Sequence, residues 1–217
     1  MPLRPYLGSK ASIICFFGPD GSGKSTLAKA LARRLHNENL KVKLSWMRGS
    51  HTLASLLAKF LSRFSCFRGH DNPYYGISLP QRFRKFWQLI ELVSVFPVVL
   101  FRFIIPSITK TVIAERYLPD FIVWVAVTTK DEGFLKSTWA KFLLAITSKA
   151  QIRIYVTADI RELVRRRNIS NEDFLLTQIK PYDIIAQAIG AHKLDTTNMS
   201  VEESLQRISV IVHDASR

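Results

Sequence analysis

Near the start of the 217-residue chain, Gly18-Pro-Asp-Gly-Ser-Gly-Lys-Ser-Thr26 places glycines, a lysine and two hydroxyls at the spacing G-x-x-x-x-G-K-[ST]. Residues of these types at this spacing can hold a polyphosphate. Gly18, Gly21 and Gly23 allow the main chain to turn successive N–H groups inward, around negative charge too dense for a cage of side chains to surround. The helix that follows adds its positive N-terminal end. Lys24 then reaches the outer phosphates and the Ser25 hydroxyl takes magnesium, with Asp20, Gly21, Ser22 and Thr26 completing the loop. A ligand-free glycine-rich turn would leave the lysine and the hydroxyls unexplained, so a nucleoside triphosphate with Mg²⁺ is the expected ligand.

Other groups of the right chemistry fall at strand ends. Thr111-Val-Ile-Ala-Glu115 reads as a short buried strand closed by a carboxylate, a Walker-B-like arrangement for magnesium or its water shell, and Arg116 directly after it can hold an anion. Lys41 to Trp46 alternates as a strand with one covered face, and the turn after it carries Arg48. Ligands of parallel α/β sheets bind at the carboxyl ends of the strands, which puts Arg48 and Glu115 on the rim of the glycine-rich loop. Arg165, Arg166 and Arg167 lie in a segment where the apolar pattern lapses. Three consecutive arginines wrap around a helix, so they cannot all face one partner; one or two can reach a transferring phosphoryl group if the segment closes as a lid. A solvated helix end explains any single one of them equally well.

These groups need a scaffold. Ile13 to Phe17 is an apolar run before the loop, and Leu27, Leu31 and Leu35 recur at helical spacing after it. The alternation continues with a helix over 53–64, a loop over 68–79, a basic aromatic helix from Gln81 to about Val95, and an apolar stretch over 121–127 that suits strand or helix. A helix over 135–146, a strand over 151–156 and a helix capped by Asp159 follow, then a helix over 182–189, a strand over 192–195 and a closing helix over 201–212 with a Ser200/Glu203 capping box. Strand–helix alternation from end to end, with no repeat and no Gly/Ser or Pro-rich linker, predicts one α/β domain over 1–217 with a parallel sheet.

Composition narrows the class. Lys+Arg 31 against Asp+Glu 17 gives a formal charge of +14, which attracts nucleotides, nucleic acid or anionic lipid without choosing among them. Two cysteines, Cys15 and Cys66, exclude a disulfide framework. The opening Met1-Pro-Leu-Arg-Pro lacks a signal peptide's apolar core, and a cytoplasmic location is expected. The apolar segment 89–108 is interrupted by Glu91, Pro97, Arg102 and Pro106, so a buried helix, broken near Pro97 and packed on the sheet, is expected in preference to a membrane span.

Together these pieces resemble the thymidylate kinase family of nucleoside-monophosphate kinases. The resemblance is carried by Gly18 to Thr26 with Asp20, by Arg48, Gly49 and Thr52, by Glu115-Arg116-Tyr117, by the arginines after Asp159, and by Lys193-Leu-Asp195-Thr-Thr with Ser200 to Glu203. It implies a three-layer P-loop NTPase fold with a small arginine-rich lid at about 161–175, and ATP-dependent phosphoryl transfer to a nucleoside monophosphate, dTMP first. It further implies that Asp20 binds the acceptor's sugar hydroxyl, that Arg48 and Arg116 grip its phosphate, that Glu115 and Ser25 serve magnesium, and that Arg165, Arg166 or Arg167 is catalytic with Lys24. Glu115 stands where the family has aspartate, and the helix from Gln81 lacks the family's base-reading arginine pattern.

Rival readings are a P-loop kinase for another nucleotide or a small metabolite, with Asp20 as base, and a non-catalytic basic ATP-binding protein associated with membrane or nucleic acid. A P-loop hydrolase switch is a third, without a convincing N-K-x-D sequence. The partner expected is a small nucleotide; a homodimer and contact with membrane or nucleic acid are left open.

Overall fold

A computed structural model describes Leu3, residues 12–47, Gly49, residues 51–167 and residues 172–215. Five parallel strands form the sheet: β1 (Ile13–Phe17), β2 (Val42–Trp46), β4 (Thr111–Glu115), β5 (Ile152–Thr157) and β6 (His192–Asp195), in the order β2-β4-β1-β5-β6. The central strands β1 and β4 are apolar and almost wholly buried, as a sheet covered on both faces requires.

Period-two alternation divides β1 between two cores. Ile14 and Phe16 meet α1 (Lys24–Asn37) and α8 (Val201–Asp214), whose Leu27, Leu31, Ile208 and Val212 are buried with Ile113 and Ile154. Cys15 and Phe17 face the opposite layer, built from α3 (Arg84–Val99), α4 (Leu118–Thr128), α5 (Thr138–Thr147) and α7 (Glu172–Ala188). The apolar stretch that suited either strand or helix is the deeply buried α4, and the helix expected over 182–189 begins ten residues earlier, at Glu172. Asp159 caps α6 (Ile160–Arg167) by accepting a hydrogen bond from the Arg161 amide at 2.9 Å, and the Ser200/Glu203 capping box forms.

Two expectations are corrected. The segment expected as a loop over 68–79 holds a short strand β3 (Arg68–Asn72), outside the main sheet, bridged to Ile77. It packs with α2 (Thr52–Leu61) in a satellite core of Ala54, Ala58, Ile77, Trp87 and Ile90. The second correction concerns the apolar helix. It does not break at Pro97 but runs through it, loosens into a π-helical turn at Leu100–Ile104, where the Ile105 amide bonds the Leu100 carbonyl at 2.9 Å, and ends in a 3₁₀ turn at Pro106–Ile108. One missing hydrogen bond at proline is outweighed by the packing of Leu92, Val95, Val99 and Phe103 beneath the sheet. The expected packing on the sheet is present, but the helix is buried on one side only: 33% of its most apolar stretch is covered.

The layer assignment has a direct test. Ile113→Ala, in the fully buried centre of β4, should lower the free energy of unfolding by about 3 kcal/mol in urea titration. Val210→Ala, on the exposed side of α8, should change it by less than about 0.5 kcal/mol. Equal effects would contradict the assignment of the two faces.

Candidate nucleotide-binding site

Parallel pairing of β1 with β4 sets Phe16 opposite Glu115, so the loop after β1 and the acid ending β4 emerge side by side. The loop uses the left-handed backbone at Gly18, Gly21 and Gly23, with φ of 137°, 85° and 89°. Two of these glycines are also tight against neighbours. A Cβ on Gly18 would meet the Val156 carbonyl at 2.1 Å, and one on Gly21 the Leu163 carbonyl at 2.6 Å. The loop is thereby wedged between β5 and α6.

Lys24 is buried, and its ammonium donates to the Pro19 carbonyl and, at 3.3 Å, to the Ser22 hydroxyl. Ser25 Oγ donates to the buried Glu115 carboxylate. A hydroxyl and a carboxylate held together form an oxygen donor pair of the type that a hard divalent cation takes alongside phosphate oxygens. Among the described residues no group of three or more His, Cys, Asp or Glu could form an all-protein metal cage. Glu115, at the end of β4, reaches Ser25 directly with its carboxylate.

Arg116 occupies a left-handed conformation, φ 62°, with its amide bonded to the Phe16 carbonyl at 2.9 Å. Its guanidinium pairs with Asp20 of the loop and, at 3.2 Å, with Asp120. Asp120 is a site residue the sequence reading missed. It is buried, and accepts hydrogen bonds from the Tyr182 hydroxyl at 2.9 Å, the Tyr117 amide at 3.2 Å and the Gly18 amide at 3.4 Å. Burial pushes its carboxyl above the usual range, against the pull of Arg116 and Lys24 and of the hydrogen bonds from Tyr182 and Tyr117. Tyr182, itself buried beside this carboxylate, has its hydroxyl pushed well up and so keeps the proton it donates. The signal that could have found Asp120 is its spacing: an acid four residues after Arg116, in the first turn of α4.

The arginine-rich segment separates its side chains as a helix must. Arg166 turns toward the loop, donating to the Thr196 hydroxyl at 3.0 Å and to the Thr196 and Thr197 carbonyls at 2.9 and 3.2 Å. The Thr196 hydroxyl in turn donates to the Ser22 carbonyl at 3.0 Å. Arg165 is exposed and pairs with Glu162 at 2.7 Å. The Arg167 side chain, and Arg48, lie outside the described residues.

Two cavities share this rim. A cleft of about 430 Å³ is lined by Gly21, Gly23, Lys24, Ser25, Glu115 and Arg166, together with Asp20 and Arg116. A second, narrow pocket, with a void of about 30 Å³, lies between His51, Tyr74, Phe121, Trp124 and Phe174, and it too is lined by Asp20 and Arg116. Tyr74 stacks on Trp124 with centroids 4.9 Å apart, and Phe174 meets Trp124 edge-on. Burial, with the Arg102 guanidinium nearby, lowers the His51 imidazole to about 4.

The geometry and the strand order together leave one architecture. The fold is that of the P-loop NTPases. The sequence pattern of the ATPase family associated with various cellular activities (AAA) matches residues 14–101. A Lon protease from Desulfosudis oleivorans is 34% identical over 74 residues, which is 34% of this chain and 7% of that protein. The chain thus spans less than a tenth of that curated relative's length. Over nearly the whole chain, the likeness is to solved thymidylate kinases. That from Candida albicans superposes with a TM-score of 0.65 at 14% identity, covering 94% of this chain and 92% of that one. That from Ehrlichia chaffeensis gives 0.57 at 17% identity, covering 94% and 99%. At such identities the likeness is one of fold.

Two outcomes follow. Asp120→Ala removes the partner of a buried guanidinium and a buried phenol, and should destabilise the protein by about 3 kcal/mol or more in urea unfolding; a loss below about 1 kcal/mol would contradict the role given to this carboxylate. For His51, a folded-state value of about 4 lies below the ordinary 6.5, so its contribution is present above pH 6.5 and is lost as the pH falls toward 4. Stability measured across pH 4–7 should fall less steeply for His51→Gln than for the parent chain, and identical slopes would rule out the burial of a neutral imidazole.

Proposed function

We propose that this protein transfers the γ-phosphoryl group of ATP to a nucleoside monophosphate, with dTMP the acceptor to test first. The observation that carries this reading is that Asp20 and Arg116 line both the phosphate-loop cleft and the aromatic pocket. A donor in the first and an acceptor in the second would meet at the same guanidinium. The likeness of fold to thymidylate kinases adds support.

In this reading the loop amides and Lys24 hold the donor's outer phosphates. Mg²⁺ bound by Ser25 and Glu115 would neutralise charge on the phosphates. Arg116 lets go of Asp20 to grip the acceptor's phosphate, and the freed Asp20 carboxylate accepts a hydrogen bond from the acceptor's sugar. Arg166, which lines the cleft and bonds Thr196 beside the loop, would in this reading offset charge on the transferring group. The acceptor phosphate is ionised at neutral pH, so no general base is required and rate comes from positioning and charge. The void between Tyr74, Trp124 and Phe174 has room for little more than one water, so in this reading Tyr74 swings off Trp124 to admit the acceptor's base against the freed ring faces. Such a reaction belongs in the cytoplasm, where both nucleotides are found.

ADP release, coupled to an optical readout, should depend on one or a few members of a nucleoside-monophosphate panel. Lys24→Ala should reduce turnover by about a thousandfold or more while leaving the melting temperature within a few degrees. Hydrolysis that ignores the acceptor would favour an ATPase, phosphorylation of a sugar or other hydroxyl compound would favour a metabolite kinase, and full activity in the variant would reject the phosphoryl-transfer reading.

A further inference from the structure

The helix from Gln81 to Ile108 is 28 residues long and, by length and composition, sufficient to cross a membrane. One side of it is committed, because Leu92, Val95, Val99 and Phe103 are buried beneath the sheet. The other side is not. Phe86, Leu89, Val93, Phe96, Leu100 and Ile104, three or four residues apart, are each more than a third exposed, Phe86 to 63%. Beside it α2, packed on Trp87 and Ile90 through Ala54 and Ala58, exposes Leu56 and Phe60. A continuous apolar stripe of this length marks an interaction surface.

Charge decides what that surface meets. Residues 41–110 contain eleven Lys and Arg against two acids, a surplus of nine out of the chain's fourteen. Within that stretch neither acid offsets them at the surface, since Glu91 is fully buried and Asp71 is paired with Lys130 at 2.7 Å; from outside it, Asp131 pairs with Lys85 at 2.7 Å and neutralises that one base. Lys59 and Arg63, near the end of α2, and Arg82, stacked over the Phe83 ring, are exposed at the margin of the stripe. Apposing two copies of such a face would bring like charges together. An anionic bilayer satisfies both properties, taking up the apolar side chains and attracting the basic margin. Crossing the bilayer is excluded by the packing of the helix's inner side on the sheet, so the helix would lie in the plane of the interface.

We propose that the exposed face of α2 and of the helix through Ile108 is a docking surface for an anionic lipid bilayer. This holds whatever reaction the nucleotide site performs. Flotation of the full chain with phosphatidylcholine vesicles, with and without phosphatidylglycerol, should show at least tenfold more protein on the anionic vesicles. The triple variant Phe86→Ser, Leu89→Ser, Val93→Ser should reduce that binding at least tenfold. Hydrogen exchange on the unmodified chain needs no variant, and anionic vesicles should slow exchange across 84–104. Equal binding to neutral vesicles, undiminished binding by the triple variant, or unchanged exchange would each overturn the proposal. So would analytical ultracentrifugation showing a dimer that the triple variant dissociates, since a second copy would then cover the face.

Discussion

The pairing of β1 with β4 is the constraint on which the site depends. With Phe16 opposite Glu115, the chain leaves β1 into the glycine-rich loop one strand spacing, roughly 5 Å, from where β4 ends in Glu115 and Arg116 follows. Ser25, Asp20 and Lys24 then fall within reach of those two residues without any long connection. A one-residue slip of β4 would turn Glu115 to the opposite face and exchange the side chains buried in the two cores, so the packing of Ile113 and Ala114 fixes the chemistry as well as the sheet.

Around that junction, charge is balanced by a small buried network. Arg116 is shared by Asp20, which belongs to the loop, and Asp120, which belongs to α4. The second pair also bonds the Tyr182 hydroxyl of α7 and approaches the Gly18 amide, so one carboxylate ties together three elements that the chain supplies at widely separated points. A guanidinium held in a left-handed backbone conformation between two acids is oriented before any ligand arrives. Of its two partners, Asp20 lines both cavities, whereas Asp120 is held as well by the Tyr182 hydroxyl and the Tyr117 and Gly18 amides.

The apolar layer serves two ends. Its inner side completes the sheet's second core, and its outer side carries hydrophobic groups within a region nearly free of surface acids. Glu91 sits on the inner side, accepting a hydrogen bond from Trp87 Nε1 at 3.1 Å, which accounts for an acid among the helix's buried apolar side chains. Pro97 and the π-helical turn are accommodated because the packed side, and not the full ladder of backbone bonds, holds the helix in place.

The glycine-rich loop, its flanking strand and helix, the α/β class and the two caps were legible in the chain, because each is set by local spacing: G-x-x-x-x-G-K-[ST], an apolar run, a repeat of 3.6, an Asp or Ser before a helix. Glu115 and Arg116 were legible as residues at a strand end. Asp120 was not recognised, because its importance comes from Tyr182 and Gly18, which are distant in sequence and adjacent only after folding. Composition likewise marked 89–108 as apolar but misjudged its burial, since whether an apolar side chain is covered depends on what packs against it. Choosing Arg166 over Arg165 needed the position of Thr196, and strand order had no local signature at all. Local periodicity determined most of the elements; only the tertiary arrangement decided which side chains share a cavity, because that is set by contacts between segments far apart in the chain.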